Sequence, residues 1–134
     1  MSQDKQKIAK FHHDLQNNEV RTMHYLGLAY LVLARTPELQ VKVPLSTLNY
    51  EDGDDVGFAV QVVFTCPPNY PLLKPKVDIV EKRNLPMGME TAMREEITVT
   101  LEQHVGLQMM VPVVTRLQML MNGALRRLPA PRSA

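Results

Sequence analysis

One cysteine, Cys66, is all that the 134 residues contain, and tryptophan is missing altogether. A lone thiol can form neither an internal disulfide nor a multi-thiolate zinc site, and it points toward a reducing compartment. The four histidines, at positions 12, 13, 24 and 104, show no His-Glu-x-x-His or other ligand spacing, so neither a metal nor a cofactor is expected. Adjacent helical residues point about 100° apart, so His12 and His13 read as an exposed polar patch rather than a shared site. No apolar run approaches the ~18 residues that span a bilayer, and the opening Met1-Ser-Gln-Asp-Lys-Gln-Lys is too polar for a secretory signal. The expected address is cytoplasmic, with no membrane partner. Nor is nucleic acid expected, because the net charge is only +1 and the one basic cluster, Arg126, Arg127 and Arg132, sits in a Pro-containing tail. Gly-rich phosphate loops and a Gly-x-Ser-x-Gly elbow are both lacking.

What is present suffices for one folded domain. Leu, Val, Ile and Phe make up 38 of the 134 residues, enough to build a core without covalent or metal support. From Asp4 to about Leu26 no proline or glycine interrupts a helical pattern in which Ile8, Phe11, Leu15, Val20, Met23 and Leu26 are apolar. The stripe drifts near Asn17-Asn18, which predicts a frayed first half or a broad buried face, and Gly27 supplies the stop. Leu28–Ala34 reads as a short strand. Leu39, Val41, Val43 and Leu45 then alternate with polar or proline positions, as do Phe58, Val60, Val62 and Phe64 within 56–66. Between these strands, 46–55 reads as an acidic, turn-rich loop. Glu51, Asp52, Asp54 and Asp55 lack the Asp-x-Asp-x-Asp-Gly order that calcium needs. A last strand follows over 76–81, with a slip at Val80.

Met89, Met93, Ile97, Leu101 and Val105 fall four apart and predict a helix ending at Gly106. A final helix begins between Met110 and Pro112, since proline is tolerated only in a first turn, where its missing N–H has no partner to lose. Helices before and after a meander of closely connected strands make an α+β two-layer sandwich: a four-stranded antiparallel meander packed on three helices. Residues 1–127 are assigned to one domain and 128–134 to a disordered tail. Of nine methionines, Met93, Met110 and Met121 have core phase, whereas Met87 and Met119 are the ones with room to reach the surface. Cys66 would be a nucleophile only with His104 beside it; at a strand end it reads better as a small buried hydrophobe.

The segment Cys66-Pro-Pro-Asn-Tyr70-Pro71-Leu-Leu-Lys-Pro75, set between two strands, contains Tyr-Pro-x-x-x-Pro. It resembles the RWD domain family. The likeness extends to Glu19-Val-Arg-Thr-Met23-His-Tyr-Leu26, similar to the family's Glu-Leu-x-x-Leu-x-x-Ile first helix, and to His104-Val-Gly106-Leu-Gln-Met109-Met110, similar to its link into the last helix. The Cys-Pro-Pro-x-Tyr-Pro form is most similar to the N-terminal RWD domain of the amino-acid-starvation kinase of translation initiation factor 2. The Gly-Leu-Gln-Met-Met run is similar to small RWD-containing proteins that bind developmentally regulated GTPases. The resemblance implies a non-catalytic protein-interaction module in translation control or stress signalling. The implied partner is the HEAT-repeat activator of the starvation kinase or a developmentally regulated GTPase.

Within this frame Tyr70, Pro71 and Pro75 are a structural motif: the prolines fix φ near −65°, and Tyr70 offers a ring to pack and a hydroxyl for a backbone group. The partner surface is left open between an exposed helix face, above all the polar side of the 89–105 helix at Glu90, Arg94, Glu95, Glu102 and Gln103, and the acidic loop 51–55. Two departures from the family pattern stand out: Gly27 where relatives carry tyrosine, and Thr98-Val-Thr100 where they carry acids. Tyr70 to Val77 is also similar to a stretch of ubiquitin-conjugating enzymes, so an inactive relative assisting ubiquitin or a ubiquitin-like modifier is the alternative. Catalysis of that kind needs a thiolate downstream of His-Pro-Asn, and no cysteine follows Tyr70.

Overall fold

The computed structural model describes residues 2–51 and 57–123. Their order is α1 (Ser2–Tyr25), β1 (Leu31–Ala34), β2 (Leu39–Ser46), α2 (Leu48–Glu51), β3 (Ala59–Cys66), β4 (Lys76–Arg83), α3 (Met89–His104) and α4 (Met110–Met121). The four strands form one antiparallel sheet in chain order, as the meander requires. Alternation decides which face is buried. Leu39, Val41, Val43 and Leu45 of β2 pair with Cys66, Phe64, Val62 and Val60 of β3, and all eight are buried on the same side. The helices cover that side, α3 packing on α4 and α4 reaching both β2 and α1, so the fold is the two-layer α+β sandwich.

Local differences from the sequence expectations have physical causes. The first strand begins at Leu31 rather than Leu28, because α1 ends in a Schellman turn that uses the intervening residues. Gly27 takes φ +75°, its N–H donates to the His24 carbonyl, and the Leu28 N–H donates to Met23. A single helical turn, α2, occupies part of the expected 46–55 loop, making four helices where three were expected. The Tyr50 N–H donates to the Thr47 carbonyl, and the backbone of Tyr50 approaches Gly57 so closely that a Cβ there would lie 2.2 Å from it. Asp52, Asp54 and Asp55, the basic cluster, the domain end at 127 and the 128–134 tail fall outside the described residues. The slip at Val80 is a bulge: Gln61 pairs with Val80 but Ala59 with Arg83, and Glu81 adopts φ +48°.

In α1 the expected apolar face is wrong in its first half and at Leu26, which is exposed. Ile8 is 57% and Phe11 60% exposed, while His12, Gln16, Glu19, Val20 and Met23 form the buried stripe. His12 is therefore not part of an exposed patch. Met93, Met110 and Met121 lie in the core, as does Met109, whereas Met87 and Met119 are exposed.

Candidate functional site

The Pro-rich link between β3 and β4 cannot form a ladder, so its carbonyls need donors from elsewhere. Gln16 on α1 provides them. Its Nε2 lies 3.0 Å from the Pro68 carbonyl, 3.2 Å from that of Tyr70 and 3.4 Å from that of Pro67. Within the link, the Tyr70 N–H donates to Pro67 and the Leu72 N–H to Asn69, and Gly106 N–H donates to the Pro71 carbonyl from the α3–α4 connection. Tyr70, Pro71 and Pro75 are all buried. The Tyr70-Pro71 bond is cis.

Tyr70 directs its hydroxyl into the start of α4. The oxygen accepts from the Met109 N–H at 2.6 Å and the Met110 N–H at 3.1 Å, and its proton goes to Glu19 Oε1. The other carboxylate oxygen of Glu19 accepts from the Val111 N–H at 2.8 Å. The next residue, Pro112, has no N–H, and Val113 begins the helical ladder by donating to Met109. Every orphan donor of the helix start is thus satisfied, by side chains from α1 and from the Pro-rich link instead of a local cap. This closure explains how proline is accommodated in the first turn of α4. Burial raises the pKa of Glu19 above its ordinary value, outweighing the opposing donors from Tyr70 and the α4 backbone. Burial, followed by the charge of Glu19, likewise raises that of Tyr70.

Cys66 lies beneath this network, fully buried, with its Sγ 3.8 Å from Met110 Sδ. Burial, followed by the charges of Glu19 and Glu38, pushes its thiol up to about 12, so the nucleophilic thiolate is absent at neutral pH. His104 does not activate it: its Nδ1 is 2.8 Å from the Thr100 carbonyl of its own helix. Among the described residues no group of three His, Cys, Asp or Glu side chains could hold a metal, and no helix is long and apolar enough to cross a membrane.

The polar positions of α3 separate into two sets. Glu90 accepts from Arg94 at 2.8 and 3.0 Å and pairs with Lys82 at 2.8 Å, and these two cations hold its carboxyl below the ordinary range. Glu95 and Glu102, seven residues apart, share another exposed stripe, with exposed Gln103 beside it. Thr91, Arg94, Glu95, Thr98 and Val99 line a shallow hollow on this helix. Of the departing Thr98-Val-Thr100 stretch, Thr98 and Val99 are exposed, but Thr100 is buried and its hydroxyl reaches Glu96 at 3.4 Å. Glu96, also buried, accepts from Arg116 Nε at 2.9 Å and ties α3 to α4. Reading polar residues as solvent-facing misses Gln16, Glu19 and Glu96. Their signal is phase: 16, 19, 20 and 23 are one helical stripe, as are 93, 96, 97, 100 and 101.

The RWD domain model matches residues 14–121. Among solved structures, the solution structure of the RWD domain of mouse GCN2 has the same fold, with a TM-score of 0.69 at 16% identity, over 87% of this chain and 89% of that one. No curated protein sequence matches the chain. With the motif, the sheet order and the family match in agreement, the chain belongs to the RWD domain family.

Proposed function

We propose that this RWD domain is a cytoplasmic, non-catalytic protein-interaction module that works in translation control or stress signalling through a large regulatory partner. The observation that carries the non-catalytic part is Cys66, the only thiol, which is buried and protonated in a fold related to that of a thiol enzyme. The motif residues are buried, and Tyr70 and Pro71 are bonded to α1 and to the α3–α4 connection, which leaves helix faces for recognition. On α3, Glu95, Glu102 and Gln103 are exposed and make no hydrogen bond or ion pair with another described residue, so they are the partner-facing positions. Glu90 and Arg94 hold the edge of that face through their pairing. The likeness of Cys66-Pro-Pro-Asn-Tyr70-Pro71 to the starvation kinase's domain and the fold shared with the RWD domain of mouse GCN2 support the translation setting.

The test is a titration of the purified chain with the HEAT-repeat activator of the starvation kinase, with a developmentally regulated GTPase, and with ubiquitin. One of the first two is expected to bind, and Glu95→Lys with Glu102→Lys to weaken it about tenfold or more, an energy of about 1.4 kcal/mol. Binding of neither, or amide shifts on adding ubiquitin alone, would overturn the reading in favour of a modifier-assisting role.

A further inference from the structure

We propose that the open groove between the first half of α1 and the turn at residues 67–72 is a docking site for a partner segment that sets apolar side chains beside a carboxylate. The groove measures about 580 Å³ and is lined by Lys5, Ile8, Ala9 and His12 on one wall and by Pro68 and Leu72 on the other. The Gln16 amide, whose two N–H groups are shared among three carbonyls of the turn, holds the walls together, so the groove is formed before a partner arrives. Ile8 and Leu72 are each 57% exposed, and covering such side chains yields about 25 cal/mol per Å² of apolar surface. Exposed Phe11 and Leu73 extend apolar surface beyond the groove.

Two features select the occupant. The first is charge. Lys5 lines the groove and Lys74 is exposed two residues beyond Leu72, while among the described residues no carboxylate lines it. Asp14, farther along α1, is already paired with Lys10 at 2.9 Å. The second is His12, which lines the groove although it is only 7% exposed, and whose ring makes no hydrogen bond with another described residue. Imidazole carries at least one N–H in either protonation state. An acidic side chain on an incoming segment would accept from His12 and pair with Lys5, while neighbouring apolar side chains cover Ile8 and Leu72. The inference rests on reading the chain as an interaction module, but it uses a surface separate from the α3 face.

The test selects a library of random short peptides against the full chain, with the Ile8→Glu variant as counter-selection. Peptides retained by the wild type alone are expected to share apolar residues flanking Asp or Glu. A synthetic representative should shift the amides of residues 5–12 and 67–74, and Ile8→Glu and Lys5→Glu should each weaken it about tenfold or more. Both positions are exposed, so thermal melting of the variants should match the wild type. A library that yields no groove-dependent peptide, or peptides without an acidic residue, would overturn the proposal. So would sedimentation showing self-association that Ile8→Glu abolishes, since the occupant would then be a second copy. If the groove fails while Glu95→Lys still removes the regulatory partner, the interaction-module reading stands and only the groove assignment falls.

Discussion

Removing the phenol oxygen of Tyr70 strands the N–H groups of Met109 and Met110 and one oxygen of Glu19 in the core. Tyr70→Phe is therefore expected to cost about 2–3 kcal/mol in urea unfolding, the price of buried groups left unpaired. Tyr25→Phe, at an 80% exposed position, should change nothing. Glu19 adds a pH signature. Its folded pKa is raised above 4.5, so the folded chain keeps a proton that the unfolded chain has released. Its contribution is fully present below about pH 4.5 and is lost as pH rises through the folded value. Glu90, with a lowered pKa, has the opposite sign, its contribution being lost as pH falls. The stability of the wild type relative to Glu19→Gln should accordingly decline as pH rises above about 4.5, and urea midpoints at several pH values read it directly. A constant or growing difference would contradict the protonation argument. For Cys66, thiol labelling of the native chain is expected to proceed only as fast as unfolding exposes it, whereas rapid labelling would show an accessible thiol. The Tyr70 motif is legible in the sequence because proline spacing is a local signal. The roles of Gln16 and Glu19 are not, since helical phase marks only their burial and their partners lie 51 to 92 residues away.

At the scale of elements, legibility follows the length of the periodic pattern. β2, β3 and α3 have alternation or four-residue spacing over most of their length, and their boundaries fall close to expectation. The single turn of α2 is too short for any period to appear. The first half of α1 misleads for a different reason: Ile8 and Phe11 lie off the centre of the face that buries His12, Gln16, Glu19, Val20 and Met23, so the apolar pattern drifts away from the packed side. The close approach of Gly57 to Tyr50 makes α2 sensitive to one methyl group. Gly57→Ala is expected to destabilise by about 1–3 kcal/mol, because the clash is with backbone and cannot be relieved by a rotamer change. Unfolding at unchanged stability would show that α2 moves aside freely.

Over the whole molecule, the chain is near neutral and its single thiol is buried. Its layers are closed by a few polar anchors: Gln16 fixes the Pro-rich link, Glu19 and Tyr70 cap α4, and Glu96 with Arg116 joins α3 to α4. The fold class was legible because strand and helix periods appear in an order that short connections allow few ways to pack. The positions proposed to face a partner were legible only as polar positions on a helix, since exposure alone does not distinguish a docking face from a solvated one. The most direct measurement of the central claim is quantitative affinity purification of the tagged full chain from its own cells, beside the Glu95→Lys/Glu102→Lys variant of equal melting temperature. The wild type is expected to retain a HEAT-repeat activator or a developmentally regulated GTPase and the variant to lose it; recovery of neither partner by the wild type, or equal recovery by both chains, would contradict the proposal.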